Sequence, residues 1–62
     1  MPWTFDRFPP AMTHLTPSVR AKAIEIANAL LLSGHEEGMA IRVAIAKAKE
    51  WAASHGVAAR RE

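Results

Sequence analysis

The chain has 62 residues, half of them apolar, with no cysteine and a formal net charge of +2. That is room for one domain, and a core this small needs tight packing or a partner; disulfides and thiolate metal sites are excluded outright. The mild positive charge permits nucleic-acid contact without arguing for it.

Residues 1 to 16 hold Pro2, Pro9 and Pro10, which prevent a continuous helix. They also carry Trp3, Phe5, Phe8, Met12 and Leu15, more apolar bulk than a flexible tail holds. The expectation is an ordered aromatic arm lying across helices, with a short helical turn near residues 10–14 begun by Pro10.

The next element is signalled by Thr16 as N-cap and Pro17 at the first helical position. At 100° per residue, Val19, Ala23, Ile26, Ala27 and Leu30 form an apolar stripe, widened by Ile24 and Leu31. Ser18, Lys22, Glu25 and Ala29 face the other way. Gly34 suits the left-handed conformation that ends helices, giving a helix over about 17–33.

A second helix is expected over about 36–55, with Ile41, Ala44, Ile45, Ala48, Trp51, Ala52 and His55 facing inward and Gly56 as its stop. Its start is ambiguous. Ser33 and Glu36 fit an S-x-x-E capping box, which would begin the helix at Gly34. The glycine stop is favoured instead, since Ser33 belongs to the last turn of the first helix. Gly38, in the first turn, costs up to about 1 kcal/mol relative to alanine, which predicts close backbone approach by the first helix or the arm.

The short link makes the two helices antiparallel neighbours. The fold class is therefore all-α: a helical hairpin plus the short turn and the arm, in one domain over residues 1–56, with 57–62 as a disordered tail. Ala23, Ala27, Ala44, Ala48 and Ala52 on the inward faces predict closely spaced helix axes. Trp51 is expected to join Trp3, Phe5 and Phe8 in one aromatic cluster. No segment approaches the roughly 18 apolar residues of a membrane span, and the first ten residues lack the pattern of a secretory signal, so a cytoplasmic location is expected.

The order "FPPAMTHLTP", then "IANALL", then "EEGMAIRVAIAKAKEW" resembles the ChaB-like family, small bacterial proteins described as cation-transport regulators. The matching positions are Pro2, Trp3, Pro9, Leu15, Pro17, Ala27, Asn28, Glu36, Glu37, Ala40, Val43, Ala44, Ala46 and Lys49, within residues 2 to about 51. The chain is also similar to a bacterial group of small helical proteins that begin "MPW". The first resemblance implies a compact set of three helices and a regulatory role. Ile41 and Ile45 stand where that family often has more polar or aromatic residues.

Reactive chemistry finds little support. His35-Glu36 opens like the zinc-protease pattern, but position 39 is Met39, so the second histidine is missing. Acidic residues at 36 and 37 suit the positive end of a helix instead. Ser18, Ser33 and Ser54 lie at helix ends or on outward faces, and no glycine-rich phosphate loop is present. The expectation is a non-enzymatic protein without cofactor or metal. His55 reads as a packed terminal histidine. Asn28 falls on a flank of its helix, where it can bond backbone groups of the arm.

The leading functional expectation is a protein-interaction or regulatory module, using an unidentified protein partner or self-association. Its surface would be the apolar residues left outside the core: Leu32, Met39 and Val43. The alternative is weak nucleic-acid binding through Arg42, Lys47 and Lys49 of the last helix and Arg60 and Arg61 of the tail.

Overall fold

A computed structural model describes Trp3, Thr4 and residues 6–58. A 3-10 turn over Pro10–Met12 leads into helix α1 (Pro17–Leu32), followed by helix α2 (Glu37–Ser54), and no strand occurs among the described residues. The fold is all-α and a helical hairpin, with helix limits within one residue of those read from the sequence. At 1.5 Å per residue, α2 is about 27 Å long, most of the 31 Å long dimension of the molecule.

Both helices end in the same way. At the end of α1, His35 N–H donates to Leu30 O (3.0 Å) and Gly34 N–H to Leu31 O (3.0 Å), with Gly34 at φ +94°. At the end of α2, Val57 N–H donates to Ala52 O (2.8 Å) and Gly56 N–H to Ala53 O (3.4 Å), with Gly56 at φ +68°. These are Schellman closures: two backward bonds satisfy the last carbonyls while a residue without a Cβ takes the left-handed turn. The glycine stop is thus the correct reading of the corner. Ser33 caps nothing at α2, and its hydroxyl donates back to Ala29 O at 3.1 Å.

The two starts differ from each other. Glu36 is the N-cap of α2, its carboxylate accepting from Met39 N at 3.2 Å. Thr16 occupies the N-cap position of α1 but makes no side-chain cap bond; its hydroxyl donates instead to Ala58 O at 2.7 Å. That bond ties the segment after α2 to the beginning of α1, as an antiparallel pair requires. Val57 packs against the core. Residues 57 and 58, expected in a loose tail, are therefore held by the fold.

α1 carries two neighbouring buried lines at four-residue spacing. Val19, Ala23 and Ala27 belong to the core shared with α2, whose own line is Ala40, Ala44, Ala48 and Ala52, all fully buried. Arg20, Ile24 and Asn28 lie beneath the arm: Arg20 and Asn28 bond to it, and Ile24 between them is buried. The inward stripe read from the sequence was centred too far the other way, since Ile26 and Leu30 are only partly buried. The arm covers a flank that apolar periodicity alone treats as open.

Met12 and Leu15 anchor the arm in the core. Trp3, Phe8 and Trp51 are partly buried against it. The single aromatic cluster does not form among the described residues: the ring pair present is Trp51 with His55, at 5.0 Å between centroids. Phe8 packs instead under the Arg20 guanidinium, 4.5 Å from its ring centroid. Phe5 and Pro2 lie outside the described residues.

Candidate functional site

The corner between the helices begins where α1 runs out of cover. Leu32, the last residue of α1, is 75% exposed, and Met39, in the first turn of α2, is 46% exposed. Val43 follows Met39 by one helical turn on the same side of α2 and is partly buried. Of the three residues singled out as a partner surface, two are open and one is half covered. Between them His35 turns its ring back on α1, with Nδ1 3.1 Å from Leu30 O; in the tautomer protonated there it donates to that carbonyl. Glu36 is engaged as a cap. Among the described residues no cluster of three metal-ligating side chains occurs.

Gly38 departs from expectation in what approaches it. A Cβ at that position would lie 3.0 Å from Glu36 Oε1, and no described residue of α1 or the arm is within 4 Å. The tight neighbour is the capping carboxylate itself. The side chain that reaches from the N-cap to Met39 N–H passes over position 38.

The basic residues of α2 do not converge. Arg42, Lys47 and Lys49 are all exposed. Arg42 and Lys49 are seven residues apart and share a face, about 10 Å apart along the helix axis. Lys47 projects some 140° away from Arg42. Arg60 and Arg61 lie outside the described residues.

At the other end of the hairpin, Trp51 is flanked by Lys22, whose Nζ is 5.8 Å from a ring centroid, and by His55. Lys22 also pairs with Glu25 at 3.1 Å. His55 is exposed, not packed inside: it caps α2, with Nδ1 2.9 Å from Trp51 O and 3.2 Å from Ser54 Oγ. His55 turns its ring back on Trp51 O at the helix end while Ala52 and Val57 on either side meet the core, so its stripe position does not mean burial.

The polar side chains that the fold does bury are Arg20 (8% exposed) and Asn28 (4%). Arg20 Nε donates to Met12 O (3.2 Å) and Nη2 to Thr13 O (3.3 Å) and Leu15 O (3.0 Å). One guanidinium thus gathers carbonyls from the last residue of the 3-10 turn through Leu15. Sequence reasoning did not single out Arg20; the signal was a long cation on the flank next to the stripe, four residues before Ile24. Asn28 bonds the arm as anticipated. Every buried side-chain nitrogen and oxygen among the described residues has a partner.

These features define a small helical-hairpin domain whose buried polar groups serve the arm and whose exposed large apolar residues, Leu32 and Met39 among those described, flank the link between the helices. The chain is 52% identical over 52 residues to Uncharacterized protein YdaT of Bacillus subtilis (strain 168). That match covers 84% of this chain, which spans about a third (35%) of the relative's length. No protein-family model matches the chain, and no solved structure matches it. Among the described residues, no helix is long and apolar enough to cross a membrane.

Proposed function

We propose that the chain is a non-enzymatic protein-interaction module that acts through the corner of its hairpin, in a regulatory role of the kind described for the ChaB-like proteins it resembles, in the cytoplasm. The observation that carries this reading is the exposure of Leu32 and Met39 on either side of the α1–α2 link. Elsewhere the large apolar side chains of α1 and α2 are at least partly covered. An apolar pair beside a charged rim of Glu36, Glu37 and Arg42 has the make-up of a small contact patch. The partner is a second protein or another copy of the chain.

The test is the double variant Leu32→Glu, Met39→Glu, compared with the parent chain by sedimentation velocity and by photo-crosslinking from the exposed position 35 in cells. The expected result is a self-association or a crosslinked product that the variant loses while its helical circular dichroism is unchanged. A parent chain that stays monomeric and gives no product sensitive to the variant removes this surface from consideration.

A nucleic-acid reading draws on one observation, the shared exposed face of Arg42 and Lys49. It requires duplex binding that weakens steeply with salt, because phosphate contacts release counterions.

A further inference from the structure

We propose that the face of the hairpin turned away from the arm is a dimer interface, covered by the same face of a second copy to complete a four-helix bundle. The arm bonds to Arg20 and Asn28, with Ile24 buried between them. Lys22, Ile26 and Leu30 each follow a member of that row by two residues. They therefore lie about 160° away round α1, on the opposite face. Lys22 Nζ stands 5.8 Å from a Trp51 ring centroid, which puts Trp51 on that face of α2, with Lys47 and Val43 one and two turns before it.

Ile26, Leu30, Val43 and Trp51 are all half-buried. Inside, the sizes are reversed. The residues α2 buries are four alanines, and the largest fully buried side chains among those described are Met12 and Val19. The bulkier apolar groups stand at the boundary of a single helix layer, whereas a stable domain closes two layers around its core. Association is one of the few ways a chain this small gains that closure.

Charge selects the occupant. Lys47 and Glu50 are exposed on the rim of this face, and their side chains make no ion pair with any described residue. They are opposite in sign and three residues apart. A twofold axis beside α2, between positions 48 and 49, sets each Lys47 against Glu50 of the second copy and satisfies all four charges. A partner carrying one sign of charge would match one of the two and repel the other. The contact is centred about 14 Å along α2 from Met39, so it is distinct from the Leu32–Met39 corner.

The test is charge reversal at these exposed positions, Lys47→Glu and Glu50→Lys, read by sedimentation equilibrium with helical circular dichroism as the check on folding. The parent chain is expected to dimerise. Each variant alone is expected to lose association by roughly ten-fold or more, since like charges then meet at two symmetric places. An equimolar mixture of the two variants is expected to recover it, because a mixed pair again sets lysine against glutamate at both places. Leu32→Glu, Met39→Glu is expected to keep the dimer. A parent that stays monomeric at every concentration overturns the proposal, as does a dimer that neither reversal weakens or a mixture that recovers nothing. A dimer lost in the corner variant and kept in both reversals belongs to the corner and also overturns this face.

Discussion

Asn28 and Trp3 meet as a side-chain amide against a peptide unit, 25 residues apart in sequence, with each group both giving and receiving a hydrogen bond. The amide does for the arm what a neighbouring strand would do, and it selects one register. Asn28→Ala leaves both Trp3 backbone groups without their partner in a partly buried place. The expected cost is about 1–2 kcal/mol, read as a lower urea midpoint. Backbone amide exchange at Trp3 should accelerate while α1 and α2 stay protected. Equal acceleration throughout the helices would show that the arm and hairpin open as one unit.

Arg20 should be the more damaging site. Its guanidinium satisfies Met12 O, Thr13 O and Leu15 O and covers Phe8. Arg20→Met keeps the length but takes the guanidinium from Thr13 O and Leu15 O, while Met12 O retains the Leu15 N–H, for an expected loss of about 2–4 kcal/mol. Arg20→Lys should recover less than half of that, since an ammonium lacks the fork that spans several acceptors. Thermal melts of the three proteins decide this. Full recovery by lysine would mean that charge, not geometry, holds the turn.

The glycines separate by conformation. Gly34→Ala and Gly56→Ala place a Cβ at positive φ, at an expected cost of about 1–2 kcal/mol each. Gly38→Ala adds helix propensity worth up to about 1 kcal/mol, offset by pushing against the Glu36 carboxylate that caps Met39 N–H. The net change there should fall within about 0.5 kcal/mol of zero. Chemical denaturation of the three variants checks the ranking.

The helix contact tests differently, through volume. Ala44 and Ala48 are fully buried in the line that α2 presents to α1, whereas Ala46 is exposed on the same helix. Ala44→Leu should cost about 1–3 kcal/mol by overpacking, and Ala46→Leu less than about 0.5 kcal/mol. A tolerated Ala44→Leu would mean that the helices can separate without penalty.

Much of this was legible because its signals are local. Pro17, Gly34 and Gly56 mark helix ends by their own backbone preferences, and the alanines of α2 repeat at a helical period. Asn28 was readable because an amide beside an apolar stripe needs a partner and the arm offered one. Arg20 was not, since apolar periodicity discards a cation, and its role exists only once the arm is known to cross α1 at that level. Thr16 misled for a related reason: its residue type suits a cap, but a carbonyl from the far end of the chain competes for the hydroxyl. At the corner, Leu32 and Met39 were correctly left over from the core pattern. Val43 proved half covered, because burial on a helix flank depends on neighbours that its own sequence does not contain.

The bond from the Thr16 hydroxyl to Ala58 O also decides how the domain can be handled. It fixes position 58 beside the first turn of α1, while Trp3 is held at Asn28, 12 residues further along and about 18 Å away. Position 58 therefore lies at the end of the hairpin opposite the Leu32–Met39 corner, whereas Trp3, held at Asn28, lies within about one helical turn of Leu32. A dye or immobilisation handle attached through a cysteine placed at the exposed position 58 thus presents the corner outward to the bulk solution. The same handle placed at the exposed Thr4, next to Trp3, sits nearer the corner, and the two orientations should report different capture efficiencies.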